Sequence, residues 1–245
     1  MEESKKYSKL LSQLIADKFY IYGNHSKKNL AFHGIPNEQL EISGCSRYDI
    51  LFEERKNTKE DYILLIGSGI PSTAFSYYLS NSVILEWEKM LRSVFAALKE
   101  LNQEVIIKRH PGQNQEIIKF QPLAKEFLPN AKIYKNKNTY KLLSGAKIVV
   151  SMLSSVVTEA IILDKPVIIP RHIKHDFGPP YIATNAVLNI NKPEDALTVI
   201  KKALYDDKVK AKLKIGRERF LKENFEYGGK ATEKTLELIK DILKK

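Results

Sequence analysis

The stretch KIVVSMLSSVVTEAIILDKPVII, residues 147–169, decides the fold class of this 245-residue chain. It predicts a strand over 147–150, a helix over 156–163 and a second strand over 166–169. Both strands are continuous apolar runs, which is typical of parallel strands that are covered on both faces. Strand, helix and strand in this order form the repeating unit of a parallel α/β sheet.

The same alternation extends in both directions along the chain. Apolar runs predict further strands over 19–22, 62–66, 105–108, 132–134 and 187–190. Periodic segments predict helices over 4–17, 83–101, 116–127, 193–204, 208–224 and 230–244, and Ser26 is a candidate cap for one more. We therefore predict an α/β fold with a Rossmann-like parallel sheet and helices on both faces. The charged linker EERKNTKED, residues 53–61, is the best candidate domain boundary.

The composition excludes several protein classes. Hydrophobic residues make up 43% of the chain, which is ordinary for a globular protein with a core. No run of 18 apolar residues occurs, and the charged start lacks the apolar segment of a secretory signal. Cys45 is the single cysteine, which excludes an internal disulfide and favours a reducing compartment. We therefore expect a cytoplasmic location.

The net charge of +11 favours anionic partners, although a solubilising lysine-rich surface explains it as well. Much of the excess lies in the predicted helices over 208–224 and 230–244, where lysines alternate with apolar residues at helical spacing. No arginine-rich block and no basic strand studded with aromatic residues occurs, which disfavours nucleic acid. Phosphorylated small molecules remain as partners, as does peripheral contact with the inner face of an anionic membrane.

Three strand ends carry candidate site residues, because ligands of an open parallel sheet bind beyond the carboxyl ends of its strands. Gly67-Ser68-Gly69 follows the strand over 62–66. These glycines let the backbone approach a ligand without a clash at Cβ. An ordinary tight turn is the alternative, because the loop lacks the full GxGxxG pattern.

His110 follows the strand over 105–108, and Pro111 biases it away from helical conformation. An imidazole at a strand end can donate to a phosphate or assist a leaving group. A structural histidine at a helix entry is the alternative interpretation. Lys108 and Arg109 alternate in direction, so at most one of them joins the surroundings of His110.

Ser154 and Ser155 precede the helix over 156–163, where hydroxyls and free N–H groups form an anion site. Capping explains one serine but not the pair. Glu159, one turn further on, can accept hydrogen bonds from ribose hydroxyls or complement the helix dipole. His172 and His175 lack a matching carboxylate pair, so we expect no metal and no cofactor.

These motifs resemble those of a known superfamily. His110-Pro111 followed by Ser154-Ser155 is similar to the HP and SS motifs of bacterial sialyltransferases and related capsule or lipopolysaccharide transferases of GT-B fold. VVSMLSSVVTEAIILDKPVIIP, residues 149–170, also resembles a segment of CDP-glycerol glycerophosphotransferases and of sugar-nucleotide 2-epimerases. GIPNEQLEISGCSRYDIL, residues 34–51, resembles the crossover into the C-terminal domain of such proteins. The resemblance covers residues 18–205.

The resemblance implies the donor-binding half of a nucleotide-sugar-dependent glycosyltransferase in surface polysaccharide, capsule or lipopolysaccharide biosynthesis. The implied donor is linked to CMP or CDP. By the same resemblance, His110 contacts the donor phosphate or the leaving group and is the candidate catalytic residue. The other implied contacts are the phosphate for Pro111, Ser154 and Ser155, the ribose for Glu159, and the transferred group for Gly67 and Ser68.

The implied domain organisation separates donor binding from acceptor binding. Residues 1–55 correspond to a remnant of an N-terminal acceptor domain with the crossover, 60–225 to the nucleotide-binding domain, and 226–245 to a C-terminal helix. In these families the acceptor domain usually supplies the catalytic base and holds a glycan or lipid-linked acceptor. We therefore expect this chain alone to bind the donor without transferring sugar. A UDP-sugar 2-epimerase-like enzyme and a non-catalytic nucleotide- or polyanion-binding module are the alternatives.

Overall fold

A computed structural model describes residues 16–55, 60–67, 81–110, 119–151, 154–171 and 180–244. The chain divides into two compact units, one formed by residues up to 54 with 218 onward, and one formed by residues 55–217. Most of the predicted helix over 4–17 lies outside the described residues. So do Ser68, Gly69, Pro111, Gly112, His172 and His175.

Strands and helices alternate along the described chain. The strands are β1 (Phe19–Ile21), β2 (Leu40–Ile42), β3 (Tyr62–Ile66), β4 (Val105–Lys108), β5 (Lys132–Tyr134), β6 (Ala146–Ser151), β7 (Val167–Pro170) and β8 (Val187–Ile190). The helices are α1 (Asn24–Phe32), α2 (Asp49–Glu54), α3 (Asn81–Leu101), α4 (Phe120–Phe127), α5 (Thr139–Ser144), α6 (Val156–Ile162), α7 (Pro180–Ala183), α8 (Ala196–Tyr205), α9 (Asp207–Asn224) and α10 (Ala231–Leu243).

The larger unit is built on a sheet of six parallel strands, in the order β5-β4-β3-β6-β7-β8. Alternate strand residues such as Leu65 and Val150 pack against α3, α4 and α8 in one core cluster. Leu64 and Val149 point to the opposite face and are fully buried as well. Burial on both faces explains the continuous apolar runs, and the predicted parallel α/β fold is confirmed.

The strand order reverses between β3 and β6. From β3 the chain runs outward through β4 to β5, and β6 then lies on the other side of β3, followed by β7 and β8. Ile66 pairs with Lys108 in β4 and with Ser151 in β6, so the three strands end at the same level. A crevice forms at such a switch point in open α/β sheets, outside the carboxyl ends of the strands.

The smaller unit contains the parallel pair β1–β2, with Ile21, Ile35 and Leu40 in its core. A contact between residues distant in the sequence stabilises the start of α10 in this unit. The carboxylate of Asp49 accepts hydrogen bonds from the backbone N–H groups of Ala231 and Thr232 at 3.0 and 2.8 Å, and so caps α10. This cap comes from a residue 182 positions away in the sequence.

The predicted helix cap at Ser26 is wrong. Helix α1 begins at Asn24, and Gly23 stands at its N-cap in an extended conformation. Gly23 fits there because a Cβ at this position would overlap the backbone carbonyl of Asn224 in the same unit. Helix α4 begins at Phe120, and Lys119 before it is not helical, so the predicted start at 116 is too early. No helix among the described residues is long and apolar enough to cross a membrane.

Candidate functional site

The predicted site residues follow the three strands that meet at the switch point. Gly67 follows β3, His110 follows β4, and Ser154 and Ser155 follow β6. Neighbouring strands lie about 4.8 Å apart, so the loops after β4 and β6 begin about 10 Å apart on either side of β3. The described site residues therefore belong to one rim of the sheet. Ser68 and Pro111 lie outside the described residues.

The end of β4 is held by hydrogen bonds to both neighbouring strands. The N–H of Gly67 donates to the Lys108 carbonyl at 3.2 Å, and the N–H of Arg109 donates to the Tyr134 carbonyl at 2.8 Å. Lys108 is only 6% exposed, and its ammonium donates to the carbonyls of Arg109 and Lys135, both at 2.8 Å. Burial lowers the pKa of Lys108 from its usual value. Lys108 therefore turns toward β5.

His110 is exposed at the rim. The neighbouring Arg109 reaches toward α4, where its Nη1 donates to Gln121 Oε1 at 3.0 Å. Lys108 points toward β5, so His110 is the most exposed of the three residues at the end of β4. His110 therefore lies at the surface of the rim, at the carboxyl end of β4.

The end of β6 contains a buried hydroxyl. Ser151 is fully buried, and its Oγ has no hydrogen-bond partner in the part of the chain that the structure describes. A buried hydroxyl without a partner costs about 1–3 kcal/mol. The sequence places Ser151 at the end of an apolar strand, as the first residue of the polar strand end 151–155. Its complete burial is a tertiary property, which the sequence alone does not show.

The two serines before α6 differ in their local roles. Ser154 Oγ accepts a hydrogen bond from the N–H of Val156 at 3.3 Å. Ser155 occupies the N-cap position but makes no side-chain cap hydrogen bond, and it is exposed. Capping thus involves Ser154, while the hydroxyl of Ser155 is accessible at the rim. Glu159 is only 2% exposed, which sets it apart from a surface glutamate that merely complements the helix dipole.

Charged residues are distributed unevenly between the two ends of this sheet. Among the described residues from the ends of β3 to β6 through the first turn of each following helix, the one acid is Glu159. The cations there are Lys108, Arg109, Lys119, Lys135, Lys137 and Lys141. The residues just before β3 and β4 instead include three acids, Glu60, Asp61 and Glu104. In the described residues, the cations of this rim therefore follow β4 and β5, on one side of the switch point.

Comparison with protein-family models and with characterised proteins gives no match. Among solved structures, the UDP complex of MnaA from S. aureus is similar, with a TM-score of 0.65 and 13% identity over 94% of this chain and 62% of that one. The UDP-GlcNAc 2-epimerase of Methanocaldococcus jannaschii, in complex with UDP-GlcNAc and UDP, has a TM-score of 0.56 and 17% identity over 85% and 61%. The wall teichoic acid polymerase TagF has a TM-score of 0.55 and 15% identity over 99% and 62%.

These structures share the fold of this chain, which is a Rossmann-like fold of the GT-B type. The chain spans less than two thirds of the length of each of them. At this level of identity the likeness establishes the fold. The finer resemblance to sialyltransferases and CDP-glycerol glycerophosphotransferases stays a prediction.

Proposed function

We propose that the chain is the donor-binding half of a nucleotide-sugar-dependent glycosyltransferase in surface polysaccharide, capsule or lipopolysaccharide biosynthesis. The observation that carries this proposal is the meeting of three strand ends at the switch point, with Gly67 after β3, His110 on one side of it and Ser154-Ser155 on the other. Nucleotides bind at this position in open α/β sheets because their phosphates meet free N–H groups there. The proposed donor carries CMP or CDP and is a substrate, and the reaction needs no metal or cofactor.

Each site residue has a defined role in this proposal. His110 donates a hydrogen bond to the donor phosphate and stabilises it as the leaving group. Ser154 and Ser155 donate their hydroxyls to a phosphate oxygen, and Pro111 orients the backbone after His110. Glu159 accepts hydrogen bonds from the ribose. Gly67 and Ser68 let the backbone approach the transferred sugar.

The chemistry also requires an acceptor site. In transfer, the bond between the anomeric carbon and the phosphate oxygen breaks, and an acceptor hydroxyl attacks that carbon while a base removes its proton. Holding both reactants in line accounts for about 7–11 kcal/mol of barrier reduction. In the proposed organisation, the base and the glycan or lipid-linked acceptor belong to an acceptor domain. In this proposal the 245 residues bind the nucleotide, and transfer also requires the acceptor domain.

Isothermal calorimetry with CMP, CDP, UDP and the free nucleosides tests the donor-binding proposal. We expect micromolar-to-millimolar binding of CMP or CDP that weakens in the variant His110→Ala/Ser155→Ala. Absence of binding by all three nucleotides would overturn the proposal and favour a non-catalytic polyanion-binding module. Nucleotide release from CMP-, CDP- and UDP-linked donors should remain at background with and without glycan acceptors. Acceptor-dependent turnover would show that this chain contains its own base.

The second candidate function is that of a UDP-sugar 2-epimerase-like enzyme. The fold similarity to MnaA in complex with UDP and to a UDP-GlcNAc 2-epimerase favours this candidate. The nucleotide panel separates the two, because an epimerase site selects UDP over CMP and CDP. Binding of UDP alone, with conversion of UDP-GlcNAc in the absence of an acceptor, would replace the transferase proposal.

A further inference from the structure

The loops after β4 and β5 are tied into one surface beside the switch point. The buried ammonium of Lys108 bridges the carbonyls of Arg109, after β4, and Lys135, after β5. Arg109 also joins this surface to the first turn of α4 through Gln121. We call this surface the β4–β5 rim. Its cations are Lys108, Arg109, Lys119, Lys135, Lys137 and Lys141.

Lys108 places a cation beneath the rim, and its acceptors among the described residues are neutral. Lys108 is 6% exposed, and these acceptors are the backbone carbonyls of Arg109 and Lys135. A buried charge is costly unless an opposite charge compensates it. The positive field of Lys108 therefore reaches the loops above it with little screening by water. An anion bound on the rim would compensate this charge.

The exposed lysines of the rim also lack carboxylate partners. In other parts of the larger unit, lysines form ion pairs, such as Lys132 with Glu104 at 2.7 Å and Lys201 with Glu100 at 3.1 Å. In the described part of the chain, the three exposed rim lysines form no ion pair: Lys119, Lys137 and Lys141. The sequence contains no Asp or Glu from Phe127 to Thr158. Within the described part of the rim, no carboxylate therefore pairs with these three lysines.

We propose that the β4–β5 rim binds a polymer with repeated phosphate or carboxylate groups. The rim extends from β4 to the edge strand β5, about 10 Å from β3, so it continues outward from the proposed nucleotide site. A single nucleotide at the switch point does not span it, whereas a chain of repeated anionic groups does. If the proposed function holds, this polymer is the acceptor or the growing product.

A nucleic acid is the other polymer with repeated anionic charge, and the rim fits it less well. Single strands bind to proteins by stacking bases on aromatic side chains. The Tyr134 ring is half-buried, and Lys137 Nζ lies over it at 4.3 Å from the centroid, so the ring already has a cation on one face. Tyr140 is half-buried as well. The described residues of the rim therefore offer charge without an open aromatic surface for stacking.

The test compares two variants that lose the same charge. Lys119→Gln/Lys137→Gln/Lys141→Gln removes three rim cations, and Lys208→Gln/Lys212→Gln/Lys214→Gln removes three exposed lysines of α9. The intact chain and both variants are titrated with inorganic polyphosphate, with alginate as a carboxylate polysaccharide, and with single-stranded DNA. We expect the rim variant to lose about tenfold or more in affinity for polyphosphate or alginate. The α9 variant should stay within about twofold of the intact chain.

The two polymers identify the anionic group that the rim binds. A loss of affinity for polyphosphate alone assigns phosphate, and a loss of affinity for alginate alone assigns carboxylate. Equal losses in both variants would overturn the proposal, because attraction would then depend on net charge alone. Tightest binding of single-stranded DNA, with quenching of tyrosine fluorescence, would overturn it in favour of nucleic acid. Binding of CMP, CDP and UDP is measured in parallel. If the intact chain binds CMP or CDP but the rim variant keeps its affinity for the polymers, only this inference is rejected. If the intact chain binds none of the three nucleotides, the proposed function is rejected.

Discussion

Ile66, the last residue of β3, pairs in register with Ser151, the last residue of β6. The two strands lie side by side although 84 residues separate their first positions, Tyr62 and Ala146, because β4 and β5 lie on the other side of β3. This pairing places the fully buried hydroxyl of Ser151 at the switch point.

Replacing His110 with alanine should weaken nucleotide binding without unfolding the protein. The imidazole is exposed at the end of β4, so its loss leaves no cavity. A hydrogen bond to a charged group contributes about 1.5–3 kcal/mol. Calorimetry measures the affinity and circular dichroism checks the fold. The exposed His25 of α1 is the control, and His25→Ala should bind normally. Unchanged affinity of His110→Ala would remove the phosphate role.

Replacing both Ser154 and Ser155 with alanine should reduce affinity for nucleotides more than affinity for free nucleosides. Ser155 makes no side-chain cap hydrogen bond, so its hydroxyl is available to a phosphate. Ser154 accepts from Val156, so part of the effect of Ser154→Ala is on helix stability. The single variants separate the two contributions. Equal losses for nucleotide and nucleoside would mean that the serines act only on the helix.

Replacing Ser151 with alanine should raise the free energy of unfolding of the ligand-free protein by about 1 kcal/mol. The variant removes a buried hydroxyl that has no partner among the described residues. The control is Ser144→Ala, because Ser144 Oγ donates to the Tyr140 carbonyl at 3.0 Å and its loss should not stabilise the protein. Urea denaturation measures both. A destabilised Ser151→Ala protein would indicate that the hydroxyl is satisfied.

Gly216→Ala should destabilise the larger unit even though alanine favours helices. A Cβ on Gly216 in α9 would overlap the backbone carbonyl of Asn185, which cannot rotate away. Overpacking of this kind costs about 1–3 kcal/mol, which exceeds the gain of about 0.5–1 kcal/mol for alanine in a helix. The neighbouring Ile215 is 67% exposed, so Ile215→Ala is a near-neutral control. A raised melting temperature for Gly216→Ala would contradict this packing.

Stability should depend on pH through Lys108 in the alkaline range. Burial lowers the pKa of Lys108 below its usual value of 10.5 in the folded protein. The unfolded chain then binds the proton more tightly, so the free energy of unfolding rises as pH rises from the lowered pKa toward 10.5. Lys108→Met removes this contribution. The intact protein should therefore gain stability relative to the variant between neutral pH and pH 10.5, whereas a constant difference would contradict the shift.

The periodicity of the chain predicted the parallel sheet, because strands buried on both faces must be apolar throughout, as in 62–66 and 147–150. The same local patterns placed His110, Ser154 and Ser155 at strand ends, since a strand end is visible in sequence. Helix starts were less certain, as the errors at Ser26 and residue 116 demonstrate. Propensity near a helix end is weak, and a single packed glycine outweighs it.

Only the tertiary structure decided which strands are neighbours. Strand order depends on crossovers between distant segments, and periodicity contains no information about them. The order β5-β4-β3-β6-β7-β8 brings Gly67, His110 and Ser151 to one rim. It also turns the side chain of Lys108 toward the Lys135 carbonyl, which joins two loops into one cationic surface. Local sequence determined each element and its terminal residues, whereas long-range pairing determined which of those residues meet.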